Sequence, residues 1–368
     1  MIPASPIPLA RYAAVPGAQM LHIQPAARYA SAPPSLVGFR YDHADTARAF
    51  LRVLSRAEVE VPAEAVMLYP DAVVLDGRFV LSREGVGVEE SFAGTTADEV
   101  MSVRHPDRVA RLAAGEATRL PAGGPPVVAI FKEHCQTFGH VVGEALPRLV
   151  HLAEMGLREI RLLVPDIAAP LRPVIDYALA ALGIRAVVIP CPDGSAFRVA
   201  ALHWVSPVSR YNQRLSPTLL RLMDKLRAAA APADGPRRIF VTRPADIRRR
   251  LVNAAELEGI ATAAGFTVVE PSLMDIGRQV ALFAGAEWVA GPWGSGLTLS
   301  AAMAPGGRVT MIGSEVCDFF FWDIACLAGL RFDWAFAAPI APFSVELQDR
   351  PLAIDPTLLA RLLDGRSW

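Results

Sequence analysis

The sequence predicts an α/β protein of two domains, each built on a largely parallel sheet, with a β-rich region at the N-terminus. The length of 368 residues exceeds one ordinary core and suits two domains. Hydrophobic residues make up 52% of the chain and charged residues 20%, which indicates a well-buried globular protein. From about residue 126, apolar strand patterns alternate with helix patterns, as in parallel sheets covered by helices.

The N-terminal region, residues 1–125, contains short apolar runs separated by prolines. In "AVMLYPDAVVLDGRFVLS", apolar alternation on both sides of Asp76-Gly77 predicts a strand, a tight turn and a second strand. The run "TARAFLRVLS" predicts a helix. We therefore expect this region to be rich in β-structure.

The first domain is predicted to span residues 1–230, with its α/β part at 126–230. A buried strand, "PVVAIF", precedes the helix pattern "GHVVGEALPRLVHLAEMG". The run "IRLLVP", "LRPVIDYALAALG" and "RAVVIP" reads strand, helix, strand, and "SPTLLRLMDKLRAAA" is a helix with Ser216 as the expected N-cap. The segment "APADGP", residues 231–236, has the composition of a linker.

The second domain is predicted to span residues 237–368. Its expected strands are "RRIFVTR", "FTVVEP", "EWVA", "RVTMIG" and "RFDWAFA". Its expected helices are "AAELEGIATAAG", "MDIGRQVALFAGA", "LTLSAAMA", "DFFFWDIACLAGL" and "DPTLLARLLDG". We expect the aromatic run at 319–322 to lie in the core.

Charge and composition exclude several classes of function. A formal net charge of −1 provides no general attraction to nucleic acid or to an anionic membrane. No apolar run is long enough for a membrane span, and no signal peptide is evident, so a cytoplasmic protein is expected. The four cysteines are scattered without CxxC spacing, which favours free thiols over a disulfide framework or a zinc site.

A glycine-rich loop follows the strand "EWVA". Residues 291–299 read "GPWGSGLTL", so a strand, a glycine-rich turn and a helix come in succession. Glycines let backbone N–H groups approach a phosphate, and a helix N-terminus attracts anions. The order GxxGxG is neither the dinucleotide-binding fingerprint nor a P-loop, and a simple strand-to-helix turn is the alternative.

Six arginines lie within residues 237–250, in "RRIFVTRPADIRRR". Arg243 follows a strand, at the end where parallel sheets bind ligands, and arginine forks suit diphosphates. A solvated basic face is the alternative for a charge run. That alternative accounts for Arg250 better than for Arg243.

Several motifs in this order resemble glycosyltransferase family 61. The C-terminal motifs are "IFVTR", Arg249, Asn253 and Glu256, then Gln279, "GPWGSGLT" and "PGGRV". The N-terminal motif is "FGHVVGEALPRL", which contains His140, Glu144, Pro147 and Arg148. The resemblance covers roughly residues 126–335.

This resemblance implies a GT-B fold, with two Rossmann-type domains facing a cleft. It implies inverting, metal-independent transfer from a nucleotide sugar, expected to be UDP-linked, to a glycan or lipid-linked glycan acceptor. The first domain would bind the acceptor and the second the donor. The residues carried over for donor binding are Arg243, Arg249, Asn253, Gln279, Trp293, Gly294, Ser295, Gly296 and Glu315.

The chain departs from the family pattern in and after the glycine loop. Trp293 stands where the family has His, and Ser295 where it has Ala. Leu299 and Met311 replace a family Asn and Glu, and Glu315 is the alternative position for that carboxylate. Trp293 either stacks on a base or sugar or packs into the core.

The catalytic base is expected on the first domain. His140 and Glu144 stand i,i+4 on one helix face, so either can be the base, with Glu144 otherwise orienting His140. A structural histidine is the alternative. His151 completes a formal His/Glu/His metal set, but Pro147 should distort the helix between them, and no DxD motif occurs, so no metal is expected.

Two other classes of function remain open. A non-catalytic nucleotide- or glycan-binding protein derived from such enzymes would fit the departures at Trp293, Leu299 and Met311. A sugar epimerase or NAD-dependent dehydrogenase would also use Rossmann-type domains, although the missing GxGxxG argues against it. Peripheral membrane association through a lipid-linked acceptor also stays open.

Overall fold

The computed structural model describes residues 17–39, 44–82, 116–132, 135–210, 213–231, 234–243, 251–314, 318–339 and 351–365. The chain divides into two compact units. Unit 1 comprises Met1–Arg28 and Glu60–Lys225, and unit 2 comprises Tyr29–Val59 and Leu226–Trp368. Unit 2 therefore contains an N-terminal segment as well as the C-terminal part of the chain, which no sequence pattern indicates.

The described residues form strands, α-helices and shorter helical turns. The strands are β1 (Gln19–Gln24), β2 (Ala27–Ala30), β3 (Ser35–Val37), β4 (Glu58–Val61), β5 (Glu64–Leu75), β6 (Phe79–Leu81), β7 (Thr118–Arg119), β8 (Val127–Ala129), β9 (Glu159–Pro165), β10 (Arg185–Cys191), β11 (Ala196–Val205), β12 (Arg238–Val241), β13 (Thr267–Val269), β14 (Trp288–Pro292), β15 (Arg308–Gly313), β16 (Arg331–Phe336), β17 (Ala338–Pro339) and β18 (Leu352–Ala353). The α-helices are α1 (Ala44–Leu54), α2 (Phe138–His140), α3 (Arg148–Glu154), α4 (Arg172–Ala181), α5 (Thr218–Ala229), α6 (Ala254–Ala263), α7 (Ile276–Gly285), α8 (Phe320–Ala328) and α9 (Pro356–Leu363). A π-helical turn spans Val141–Ala145, and 3₁₀ turns span Asp166–Leu171, Pro271–Leu273 and Ser295–Ala302.

Unit 1 is built on a mixed sheet with the order β1-β5-β11-β8-β9-β10. β8, β9 and β10 are parallel, as the sequence predicts, and β11 is parallel to β8. Beyond β11, β5 and then β1 are antiparallel additions. The chain thus moves outward from β8 to β9 and β10 and returns on the other side at β11. Such a reversal is a topological switch point, where α/β sheets bind ligands beyond the strands' carboxyl ends.

The hairpin expected around Asp76-Gly77 is confirmed. β5 and β6 pair antiparallel, and the three-residue loop between them includes Asp76 and Gly77 with positive φ angles of 52° and 67°, as tight hairpin turns require. The hairpin does not stand apart from the α/β part, because β5 pairs along its length with β11. The hairpin therefore extends the sheet of unit 1.

The helix predicted before residue 156 is interrupted at Pro147, as expected. Between α2 and α3 the chain forms a π-helical turn, and Leu146 N–H donates to Val141 O at 2.9 Å. Pro147 has no N–H to donate and stands at the N-cap of α3. Single π-helical turns are frequent at functional sites, and this one contains Glu144.

Unit 2 is built on a six-stranded sheet with the order β13-β12-β14-β15-β16-β3. Its described pairings are all parallel. Counted along the C-terminal chain, β12 to β16 have the order 2-1-3-4-5 of doubly wound α/β folds. The switch point of this sheet lies between β12 and β14. β3, from the N-terminal segment, is the edge strand beside β16.

The aromatic run at 319–322 lies in the core of unit 2, as predicted, and all four side chains are buried. Phe319 packs on Trp322 and Trp334 with ring centroids 6.1 Å apart in both pairs. Phe50, on α1, lies 5.1 Å from Trp334. The N-terminal segment thus contributes side chains to this core as well as a strand to the sheet.

The predicted α/β class is confirmed: the two largest sheets are one mixed and one parallel sheet, accompanied by helices and two two-stranded sheets, β2-β4 and β17-β18. The GT-B arrangement stays a prediction. None of the helices in the described ranges has the length and apolar content that crossing a bilayer requires.

Candidate functional site

Arg243 and the glycine loop lie at the switch point of unit 2. Arg243 follows β12 by two residues, and the loop follows β14, its neighbour in the sheet. Arg243 Nη1 donates to Trp293 O at 3.1 Å. Two regions fifty residues apart in sequence therefore meet where parallel sheets bind ligands.

The glycines of the loop are required by close approach to β12. A Cβ at Gly294 would lie 2.8 Å from Arg243 Nη1, and its φ of 151° disfavours any side chain. A Cβ at Gly291 would lie 2.6 Å from Val241 O. A Cβ at Gly296 would lie 3.0 Å from Val241 Cγ1. The glycines therefore let the loop sit directly against the end of β12 and against the Arg243 guanidinium.

The loop leads into the 3₁₀ turn Ser295–Ala302, which begins after Gly294. The first N–H groups of such a turn have no partner within it, and they carry partial positive charge. Ser295 and Gly296 are half-buried, whereas Leu297 to Ala302 are buried. The accessible end of the turn is thus the end that favours an anion.

Trp293 is buried, and its ring belongs to the core of unit 2. Its indole Nε1 donates to Asp318 Oδ2, and its backbone N–H donates to Ile312 O at 2.7 Å. These contacts favour the packing interpretation of Trp293 over stacking on a ligand. Its backbone carbonyl still contributes to the loop, because it accepts the hydrogen bond from Arg243.

A cavity of about 410 Å³ opens beside Arg243, at the carboxyl ends of β12 and β14. Its lining includes Thr242, Arg243, Glu258 and Pro292. The volume lies in the range of small-molecule sites, roughly 300–1,000 Å³. Thr242 Oγ1 hydrogen-bonds to Glu258. Because Arg243 and Glu258 both line this cavity, it presents a cation and a carboxylate to a ligand.

Asn253 and Gln279 make contacts that hold neighbouring backbone in place. Asn253 Nδ2 donates to Ile354 O at 3.1 Å. Gln279 Nε2 donates to Met274 O at 2.9 Å, which fixes the turn before α7. Their assignment to donor binding stays a prediction. Arg249 and Glu315 lie outside the described residues.

The predicted base, His140, is joined to Glu144 in unit 1. His140 Nδ1 and Glu144 Oε2 are 2.6 Å apart. Glu144 Oε1 accepts a hydrogen bond from Lys132 Nζ at 3.0 Å, and Lys132 also donates to Ser209 O at 3.3 Å. Lys132 follows β8 and Ser209 follows β11, so this cluster lies at the switch point of unit 1.

Electrostatics give Glu144 and His140 different roles in this cluster. The Glu144 side chain is 1% exposed, and burial alone would raise its pKa. The Lys132 charge and the hydrogen bonds from His140 and Lys132 outweigh burial and lower the Glu144 pKa to about 2. Burial lowers the pKa of Lys132, which the Glu144 charge opposes. Glu144 is thus an ionised acceptor, and the His140 side chain, 19% exposed, is the member of the pair that a substrate can reach.

His151 does not join His140 and Glu144. Its Nε2 hydrogen-bonds to Glu64 Oε2, on β5, and its Nδ1 faces Glu154 at 4.0 Å. The formal metal set of His140, Glu144 and His151 therefore divides into two separate networks. Pro147 and the π-helical turn separate the two parts of the sequence pattern.

Lys132, Glu64 and Asp318 are among the residues of these contacts that were not predicted from the sequence. Lys132 follows a buried strand in a parallel sheet, and that position is the signal that could have identified it. Glu64 and Asp318 reach their partners His151 and Trp293 only through tertiary packing. No sequence spacing indicates either contact.

The fold and the site define an α/β protein whose two sheets each carry charged side chains at a switch point, as ligand-binding α/β enzymes do. The glycosyltransferase 61 family model matches residues 138–310. The match supports assignment of this part of the chain to glycosyltransferase family 61, and it supports glycosyltransferase activity. It contains His140, Glu144 and Arg243, whereas Lys132 lies outside it. A comparison with curated proteins found no match.

Proposed function

We propose that the protein transfers a sugar from a nucleotide-sugar donor to a glycan acceptor, with inversion at the anomeric carbon. The observation that carries the proposal is the Arg243 guanidinium, held against the glycine loop beside a 410 Å³ cavity at a switch point. A guanidinium and a 3₁₀ N-terminus stabilise the negative charge that develops on a leaving diphosphate. These groups supply positive charge without a metal on the diphosphate.

The cavity also suits the nucleoside part of the donor. Glu258 provides carboxylate oxygens that accept hydrogen bonds from ribose hydroxyls. Arg243 and Glu258 lie on the same cavity, so a nucleoside diphosphate can place its phosphates on the cation and its ribose on the carboxylate. UDP is the nucleotide expected from the family resemblance.

His140 acts as the general base in this proposal. When ionised Glu144 accepts the Nδ1 proton, the neutral imidazole carries its lone pair on Nε2, the nitrogen that takes the proton from an acceptor hydroxyl. As His140 takes that proton, the acceptor oxygen bonds to the anomeric carbon. The bond from that carbon to the diphosphate oxygen breaks, and the diphosphate leaves with the electron pair. A single displacement of this kind inverts the anomeric configuration.

The second candidate is a protein that binds nucleotide without transferring sugar. The buried Trp293 favours it, because a side chain packed in the core replaces the polar histidine of the family loop. Nucleotide binding with neither transfer nor donor hydrolysis over a broad acceptor panel would establish this candidate.

The decisive experiment is calorimetric titration with UDP, GDP and CMP, with and without EDTA, on wild-type protein and two arginine variants. In Arg243→Ala, nucleotide affinity should fall about 10- to 100-fold, the range for a lost charge-assisted hydrogen bond. The matched control is Arg237→Ala. Arg237 precedes the same strand at its opposite end, where its exposed side chain pairs with Glu287.

Binding that survives EDTA, is weakened in Arg243→Ala and is unchanged in Arg237→Ala supports the donor site. Equal binding in all three proteins would show that Arg243 does not hold the diphosphate. Donor turnover is then compared in wild type and His140→Asn. Normal nucleotide affinity with lost turnover is expected if His140 is the base.

A further inference from the structure

A second polar cluster in unit 1 lies apart from the residues proposed for transfer. His22 on β1 and His151 and Glu154 on α3 bring together three potential ligand atoms. All three atoms lie within 4.8 Å of one another. His151 and Glu154 are three residues apart, so they share one face of α3. His22 reaches that face from a strand more than a hundred residues away in sequence.

One nitrogen of each imidazole makes no hydrogen bond to a described residue and lies close to the other imidazole. His22 Nε2 and His151 Nδ1 are buried, and neither has a hydrogen-bond partner among the described residues. The His151 side chain is 1% exposed, so water does not readily satisfy it. Buried polar atoms are nearly always paired, and a cation bound between these two nitrogens and the nearby carboxylate would satisfy all three groups.

The other nitrogen of His151 is held by a carboxylate. His151 Nε2 hydrogen-bonds to Glu64 Oε2, which also accepts from Thr218 Oγ1 at 2.9 Å. Ser216 Oγ donates to the other oxygen of Glu64. When the Nε2 proton points at Glu64, the lone pair of neutral His151 is on Nδ1, facing His22 and Glu154. A carboxylate behind a ligating histidine is the usual outer shell of a metal site.

We propose that His22 Nε2, His151 Nδ1 and a Glu154 carboxylate oxygen bind a divalent cation of the zinc class. Two imidazoles and one carboxylate match the three-ligand sets of zinc, in which water takes the fourth position. Mg²⁺ and Ca²⁺ prefer all-oxygen shells. Ligand atoms in tetrahedral zinc sites lie roughly 3.3 Å apart. Binding therefore requires the ligand atoms of the three side chains to approach one another by up to about 1.5 Å.

Arg221 limits how strongly this site holds a cation. Its Nη1 donates to both oxygens of Glu154, at 2.7 and 2.9 Å, so the carboxylate is shared between the guanidinium and the ion. Arg221 also donates to Thr218 Oγ1 at 2.8 Å, and Thr218 in turn bonds to Glu64. The network thus connects the carboxylate ligand to the group that orients His151. Glu154 lines a cavity of about 780 Å³, through which an ion can reach it.

Bound in this way, the ion fixes β1 to α3, the helix that directly follows the turn containing Glu144. Its role is structural and independent of the diphosphate, because none of its ligands belongs to the groups proposed for transfer. His22 and Glu64 also lie outside the residues that match the family model.

The test uses full-length protein from which any histidine tag has been removed, stripped with EDTA and then titrated with zinc chloride. Wild type should bind one Zn²⁺ per chain by calorimetry, and its thermal unfolding midpoint should rise with zinc. Co²⁺ should give the visible absorption of a tetrahedral or five-coordinate complex. Magnesium chloride should produce neither effect.

Three variants locate the site. His22→Asn should abolish or weaken zinc binding at least tenfold, and Glu64→Gln should weaken it about 10- to 100-fold, as outer-shell substitutions do. The control is His203→Asn, because His203 Nδ1 is also buried without a described partner but lies outside the cluster. Circular dichroism on each protein establishes that it is folded.

Absence of zinc binding in folded wild type would overturn the proposal. Binding that persists unchanged in folded His22→Asn, or that is lost equally in His203→Asn, would also overturn it. If His22→Asn is unfolded, Glu64→Gln and the Co²⁺ spectrum of wild type decide the question. None of these outcomes depends on nucleotide binding, so the transferase proposal stands or falls separately.

Discussion

At the scale of single residues, the Glu144 carboxylate is the most informative group, since burial and charge act on it in opposite directions. The Lys132 charge and the His140 hydrogen bond outweigh burial and hold its pKa at about 2, below the ordinary 4.5. A carboxyl with a lowered folded pKa stabilises the protein above its unfolded pKa. That stability is lost as the pH falls from about 4.5 towards 2.

We therefore predict that Glu144→Gln removes a pH-dependent part of the free energy of unfolding. The shift in pKa corresponds to a contribution on the order of 3 kcal/mol at neutral pH. Urea unfolding of wild type from pH 6 to pH 2.5 should show this loss, and Glu144→Gln should show a shallower dependence. The control is Glu159→Gln, whose exposed pair with Arg185 contributes little. Identical pH profiles for the two variants would contradict the prediction.

The pairing of His140 with Glu144 could be predicted from sequence because i,i+4 spacing alone brings two side chains together. Lys132 could not, because it meets Glu144 only after β8 and the turn that follows it have formed. Prediction of the glycine loop from the sequence is limited in the same way. Its turn is evident from the glycines, but its contact with Arg243 depends on β12 and β14 being neighbours in the sheet.

At the scale of elements, α1 shows what sequence periodicity can and cannot predict. The helix itself follows from the pattern "TARAFLRVLS", and its described buried side chains Phe50 and Leu54 are four residues apart, as a helical period requires. The packing partner of the helix does not follow from the pattern. Phe50 packs on Phe319 and Trp334, almost three hundred residues away, at ring-centroid distances of 5.6 and 5.1 Å. Nothing local in the sequence specifies that neighbour.

We predict that Phe50→Ala costs roughly 3–5 kcal/mol of unfolding free energy, as expected for deleting a fully buried aromatic ring. The Phe50 side chain is 1% exposed, and its removal leaves a cavity beside Phe319 and Trp334. The control is Leu51→Ala on the same helix. Leu51 is 44% exposed, so its loss should cost less than about 1 kcal/mol. Equal destabilisation of the two variants in chemical unfolding would disprove this packing role.

At the scale of the whole molecule, the chain crosses between its two units more often than one linker would require. Tyr29–Val59 belongs to unit 2, although both of its flanking segments belong to unit 1. β3 pairs with β16 at the sheet edge, and Trp322 Nε1 donates to Ala32 O at 2.8 Å. The linker composition near residue 231 is visible in the sequence. The inclusion of the N-terminal segment in unit 2 is not visible in the sequence, because it depends on pairing between distant strands.

Because Tyr29–Val59 is part of unit 2, we predict that the fragment 226–368 does not fold cooperatively. Without Tyr29–Val59, β16 loses its edge partner and the Trp334 and Phe336 rings lose their contacts with Phe50. The fragment should keep helical far-UV circular dichroism, lose near-UV signal and bind a hydrophobic dye, as partly folded states do.

Joining residues 29–59 to the N-terminus of 226–368 through a long Gly/Ser linker should restore a sigmoidal urea transition, because it returns the edge strand and the Phe50 ring to the same chain. The control replaces Phe50 with Ala in the joined fragment, which should abolish the recovery. A sharp transition in 226–368 alone would mean that the five C-terminal strands hold the parallel sheet by themselves. In that case the N-terminal segment would be an addition to unit 2 and not part of its core.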